Sequence, residues 1–219
     1  MKSNLLHICF VIDESGSMYS SIDDVKGGFQ RLVDEQKQVE HGECLISVYR
    51  FSDSVESDFI GKPVNEVESI NYSPGGCTAM NDGIGTAIDE IGKWLSEMDE
   101  SERPSKNLVV IMTDGMENFS EKYTLKDVKE RIKHQEDKYN WSFIYMGTDI
   151  ASLDEANTLG ISLSSISSRG NIVNNYSHIS GFATNYRNSN NTKDITCAYA
   201  TLSRSLDADT IRYVNDNKS

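Results

Sequence analysis

Hydrophobic positions in this chain follow two periods, and the places where one gives way to the other outline alternating strands and helices. Ile8-Cys9-Phe10-Val11-Ile12, part of an apolar start from Leu5, and Leu108-Val109-Val110-Ile111-Met112 are short runs with no polar alternation. Such runs read as strands covered on both faces. Ile22, Val25, Phe29, Leu32, Val33 and Gln36 instead recur every three or four residues, which predicts an amphipathic helix over about 20–40, stopped at His41-Gly42. Cys44 to Phe51 reads as a strand, with Val55 to Ile60 as its hairpin partner across Ser52-Asp53-Ser54, giving an antiparallel edge.

Residues 61–77 hold two of the three prolines plus Gly75-Gly76 and read as a loop. A helical stripe follows at Ile84, Ile88, Ile91, Leu95 and Met98, tolerating Gly85 and Gly92 at about 1 kcal/mol each. After the strand at 107–113, Leu125, Val128 and Ile132 mark a helix, Trp141 to Met146 a strand, 148–159 a short helix ending at Gly160, and Ile161 to Ile166 a last edge strand. Ile172, Tyr176, Ile179, Phe182 and Tyr186 keep helical spacing over 171–187, and so large an apolar face is expected to dock rather than meet water. Residues 195–219 carry no assignable pattern. Strand and helix in alternation imply an α/β fold, a doubly wound, mostly parallel sheet with one antiparallel edge strand and helices on both faces.

Charge narrows the partners. The formal net charge is −13, concentrated in residues 1–159, which hold 30 acidic against 15 basic side chains. An acidic body repels phosphate backbones and anionic membranes and favours divalent cations. The apolar start is too short to span a bilayer, runs into Asp13-Glu14 and lacks a small-residue cleavage site, so a soluble cytoplasmic protein is expected. Cys9, Cys44, Cys77 and Cys197 show no C-x-x-C spacing and read as reduced thiols; the sequons at Asn71, Asn118, Asn140, Asn175 and Asn190 read as composition rather than glycosylation sites.

The candidate chemistry sits where the first strand ends, at Asp13-Glu14-Ser15-Gly16-Ser17. Residues two apart in extended chain point the same way, so Asp13, Ser15 and Ser17 can converge while Glu14 and Gly16 face elsewhere. Thr78, delivered by Gly75-Gly76-Cys77 to the mouth of a helix, and Asp114, in Thr113-Asp114-Gly115 after the second apolar run, add further oxygen donors. All are hard ligands suited to Mg²⁺. The plain alternative for the first cluster is helix capping, which explains one such residue better than three at every second position.

A D-x-S-x-S, a Thr after glycines and a T-D-G, in that order and at strand ends, resemble the metal-ion-dependent adhesion site of the von Willebrand factor A domain family, in its compact bacterial or phage-type form. The resemblance spans residues about 4–160. It implies a Rossmann-like fold with the metal at the carboxyl ends of central strands. The chain then divides into a domain over 1–168 and a partly helical extension over 169–219, outside the resemblance, which its apolar stripe is expected to dock on the domain. The resemblance also implies hydroxyl ligands from Ser15, Ser17 and Thr78 and carboxylates from Asp13 and Asp114, direct or through water, with Mg²⁺ as cofactor and Mn²⁺ able to substitute. Asp82 and Glu117 are expected near the rim as tuning residues. The implied function is a non-enzymatic interaction module that recruits a Glu or Asp of a partner protein, without nucleic acid or membrane.

Two other classes remain to be weighed. A haloacid-dehalogenase-like phosphatase also ends its first strand in a Mg²⁺-binding Asp but carries a second Asp two positions on as proton donor; here that position is Ser15. A scaffold with a purely structural metal would use more carboxylates than this hydroxyl-rich set. No nucleophile elbow surrounds Ser15 or Ser17, the histidines at 7, 41, 134 and 178 lack metal-ligand spacing, and Gly85 to Gly92-Lys93 fails the phosphate-loop spacing.

Overall fold

A computed structural model describes residues 1–147, 151–161, 163–166 and 172–188. The first apolar run becomes β1 (Lys2–Asp13), at the centre of a six-stranded sheet. The remaining strands are β2 (Glu43–Phe51), β3 (Val55–Pro63), β4 (Pro104–Met112), β5 (Ser142–Gly147) and β6 (Leu163–Ile166). Their order is β3-β2-β1-β4-β5-β6, with every pair parallel except β2 and β3. The antiparallel pair is the expected edge. β3 runs beyond Ile60 to Pro63, past register shifts near Gly61, and a proline is tolerated there because the strand is at the edge.

Helices cover both faces, which accounts for strands that are apolar throughout. Ile8, Phe10 and Ile12 face α1 (Ile22–Lys37) and α5 (Ile172–Asn188) in one core. Cys9 and Val11 face the other core, shared with α2 (Met80–Glu97), α3 (Leu125–Tyr139) and α4 (Ala151–Leu159). A 3-10 turn over Gly16–Ser21 precedes α1, so the helix expected from about residue 20 begins only at Ile22. Met98 ends the α2 stripe as its C-cap, in extended conformation, and Leu125 opens α3 half in solvent. Residues 148–150, where the fourth helix was expected to begin, lie outside the described residues.

Two glycines in α2 have a positional reason. A Cβ on Gly83 would come within 2.7 Å of the Phe51 ring, and one on Gly85 within 2.6 Å of the Tyr123 ring. The helix thus approaches β2 at Gly83, and the loop before α3 at Gly85, more closely than an alanine would allow, which offsets the cost of glycine in a helix.

Helix α5 belongs to the core itself. Ile172, Tyr176, Ile179, Phe182 and Tyr186 are all buried, in one cluster with β1 and α1. Gln36 Nε2 donates to Ser180 O and Oγ at 3.0 Å, and Arg187 donates to Gln36 O at 3.0 Å and Gly42 O at 2.5 Å, so the carboxyl end of α1 is capped by α5. Cys9, Cys44 and Cys77 are free thiols; Cys197 and the rest of 189–219 lie outside the described residues. No described helix is long and apolar enough to cross a membrane.

Candidate metal centre

From β1 the chain runs outward on one side to β2 and β3, and on the other side lies β4. The carboxyl ends of β1 and β4 therefore flank the topological switch point, where open α/β sheets hold ligands. Asp13 is the last residue of β1, and Thr113 and Asp114 directly follow β4.

The geometry brings all five candidate ligands to this point. Ser15 Oγ lies 3.1 Å from Ser17 Oγ, and Ser17 Oγ donates to Asp114 Oδ1 at 2.5 Å. The backbone N–H of Ser15 donates to Asp13 Oδ1 at 2.7 Å. Gly115 marks the centre: a Cβ there would stand 3.3 Å from Thr78 Oγ1 and 3.7 Å from both Asp13 Oδ2 and Ser17 Oγ. The chain thus keeps a space free of side-chain carbon, ringed by oxygens. Glu14 turns the opposite way, as the extended backbone dictates.

This donor set fits a hard divalent cation. It combines two carboxylates with three hydroxyls, and among the described residues no group of three His, Cys, Asp or Glu side chains is placed to hold a metal instead. Asp13 is fully buried, and burial pushes its carboxyl above the ordinary range; hydrogen bonds from Ser15 and Thr113 oppose this, and the neighbouring Asp114 charge adds to it. A cation among these oxygens supplies the compensation that two close carboxylates need.

Several supporting contacts had no signal in the sequence, although Thr113 and Gly76 belong to the motifs. Thr113 Oγ1 donates to Asp13 Oδ2 at 2.5 Å, and Tyr72 Oη to Asp13 O at 2.7 Å, which fix the carboxylate and the strand end. Thr78 is held by its backbone: its N–H donates to Asn118 Oδ1 at 2.9 Å, and Asn118 N–H donates back to Thr78 O at 3.1 Å. Asp53 accepts from Cys77 N–H at 2.6 Å, beneath Gly76, whose φ of +78° and close approach to that carboxylate require glycine.

Asp82 and Glu117, expected near the rim, hold backbone beside the site. Asp82 accepts the N–H groups of Glu121, Lys122 and Tyr123 at 2.7–3.2 Å. Glu117 accepts from Asn81 N–H and Ser120 Oγ at 2.7 Å with one oxygen, and from Phe119 and Ser120 N–H at 2.9 and 2.7 Å with the other. Both carboxylates are spent on backbone amides that would otherwise be unsatisfied, and they join the 114–123 segment to the start of α2.

The sequence model of the von Willebrand factor type A domain matches residues 7–196. The chain belongs to the von Willebrand factor type A domain family. The match runs through α5. Domains of this family typically mediate metal-dependent protein interactions and are generally adhesion or interaction modules, and their adhesion sites bind divalent metals. No curated protein matches the chain.

Solved structures show the same fold at low identity. Proximal thread matrix protein 1 from the mussel byssus, with a zinc-occupied metal-ion-dependent adhesion site, aligns at TM-score 0.56 and 18% identity over 82% of this chain and 46% of its own. The A domain of the type V pili tip protein Mfa5 from Porphyromonas gingivalis aligns at TM-score 0.61 and 10% identity over 86% of this chain and 98% of its own. Manganese-loaded TRAP protein from Plasmodium vivax aligns at TM-score 0.51 and 16% identity, over 80% and 72%. This chain spans less than half the length of the mussel protein.

Proposed function

We propose that this A domain is a metal-dependent protein-binding module, with Mg²⁺, or Mn²⁺ in its place, held by Asp13, Ser15, Ser17, Thr78 and Asp114. The observation that carries this reading is the convergence of these five side chains around Gly115 at the switch point. With Ser15, Ser17 and Thr78 as the direct ligands and one or both aspartates reached through water, a bound cation keeps much of its positive charge and supplies a position for a carboxylate of a partner protein.

The chain's own residues define what that partner looks like. Tyr19, two residues past Ser17, is 72% exposed, and Met116, two past Asp114, is 71% exposed. Phe119, beside the Asn118 that grips Thr78, is 41% exposed. Large apolar side chains left in water around an ion site suit a partner whose acid is flanked by apolar groups. The net charge of −13 disfavours a broadly acidic partner surface, so a single acid among neutral or basic residues fits best. Binding without turnover is part of the reading: Ser15 occupies the position of a phosphatase's general acid, and a hydroxyl is a poor proton donor at neutral pH.

The test is a capture experiment with the full chain in Mg²⁺, in chelator, and with Thr78→Ala in Mg²⁺. A partner retained only by the wild type in Mg²⁺, and lost again when one of its own Glu or Asp residues is replaced, is the expected result. Equal capture in all three conditions places the function on another face.

A further inference from the structure

Arg50 on β2 is 6% exposed, yet carries three ion pairs. Nη1 donates to Glu14 Oε2 at 2.5 Å, Nε to Asp58 Oδ1 at 2.8 Å and Nη2 to Glu56 Oε2 at 3.1 Å. Glu56 is largely in solvent and adds little; Glu14 and Asp58 are the buried partners. Each of these two carboxylates gives one oxygen to Arg50 and the other to a backbone amide of a single loop. Glu14 Oε1 accepts from Ser73 N–H at 2.5 Å, and Asp58 Oδ2 from Asn71 N–H at 2.8 Å.

That loop ends in Thr78. Between the clamp and the threonine, Gly75 N–H donates to Glu14 O at 2.8 Å and Gly16 N–H to Gly76 O at 3.1 Å, laying the loop along the Asp13–Ser17 segment. Glu14 lies between Asp13 and Ser15, so the residue that grips the loop is embedded among the candidate ligands. We propose that Arg50 is a positioning residue for the metal centre, setting the place of Thr78 through two buried carboxylates that it shares with the 71–73 backbone. The inference rests on the metal reading given above.

The chemistry demands an arginine. Two carboxylates approach different edges of one planar guanidinium, and a lysine ammonium offers charge without the fork that holds both. Without Arg50, Glu14 and Asp58 become buried anions without a counter-charge. They are then drawn towards water, and the amides of Asn71 and Ser73 lose their acceptors. Thr78 loses its registration against Ser15 and Ser17, although none of the five ligands has changed.

The test combines Mn²⁺ titration, read by the electron paramagnetic resonance of free Mn²⁺, with hydrogen exchange over residues 70–78. Arg50→Gln is expected to raise the Mn²⁺ dissociation constant about tenfold or more, as loss of a group that orients ligands does. Exchange over 70–78 rises with it, in metal-free protein as well. In a Thr78→Ala background the same substitution should have less than about a twofold effect, because the ligand it positions is gone. Arg50→Lys and Glu14→Gln, read in the same assays, cover the case in which Arg50→Gln does not fold. Unchanged Mn²⁺ affinity in the folded variants overturns the proposal, as does an equal loss in both backgrounds. A wild type that binds no Mn²⁺ refutes the metal reading itself, and the inference falls with it.

Discussion

Tyr176→Ala is expected to destabilise the protein by about 3–5 kcal/mol, the cost of removing a fully buried aromatic side chain. Tyr176 lies in the core cluster between α5, α1 and β1, with its ring centroid 6.2 Å from that of Phe10 and its hydroxyl donating to Met112 Sδ at 3.6 Å. The space it fills is made by Gly28 on α1, where a Cβ would stand 2.2 Å from Tyr176 Cδ2. Gly28→Val, which forces a side chain into that ring, should therefore displace α5 and cost about 1–3 kcal/mol or more. Tyr176→Phe keeps the ring and should cost under about 1 kcal/mol, since the lost contact to sulfur is weak. Denaturant melts of the three variants decide: an alanine variant as stable as the phenylalanine one means that α5 is not part of the core.

Acid is expected to weaken the fold between pH 6.5 and about 4 through one histidine. His7 on β1 is fully buried, with Nδ1 3.2 Å from Asn107 Oδ1 and Nε2 2.8 Å from Ser47 Oγ, and with Trp94 against its ring. Burial lowers its pKa from 6.5 to about 4, the Asn107 contact opposing this only in part. Between these values the unfolded chain binds the proton and the native state does not. The contribution of His7 is therefore complete above pH 6.5 and is lost as pH falls towards 4, by about 3 kcal/mol in all. His7→Gln removes this titration, so the stability difference between wild type and variant should shrink by about that amount from pH 7 to 4. Parallel pH profiles for the two proteins contradict a neutral, buried His7.

What the sequence reveals and what it hides divide along chain separation. Strands β1 and β4 are visible because burial on both faces leaves apolar runs, and Asp13 and Asp114 are visible because each interrupts such a run at its end. Period-two spacing from Asp13 to Ser15 places Glu14 on the far side, as observed, whereas Ser17 comes to the site from the 3-10 turn over Gly16–Ser21 and not from extended chain. The same spacing says nothing of where Glu14 then reaches: its partners, Arg50 and Ser73, lie 36 and 59 residues away.

Thr113 orients Asp13 across 100 residues, and Asn118 grips Thr78 across 40. Such contacts depend on how strands are ordered in the sheet, which a local pattern does not encode. Asp82 and Glu117 illustrate the converse. Asp82, near the start of α2, is readable as stabilising, but the amides it satisfies, at 121–123, and those that Glu117 satisfies, at 119–120, belong to a loop without periodicity. The stripe of α5 is equally readable, whereas the notch at Gly28 that receives Tyr176 appears only once α1 and α5 lie side by side.

The central claim is that one divalent cation is held by oxygens from three separate segments meeting at the switch point. Isothermal titration of Mn²⁺ into wild type and Asp13→Ala, each checked for folding by circular dichroism, tests it most directly. The expected result is a single site per chain in the wild type and no measurable uptake in the folded variant. Identical isotherms for the two proteins, or a wild type that takes up no Mn²⁺, contradict the claim.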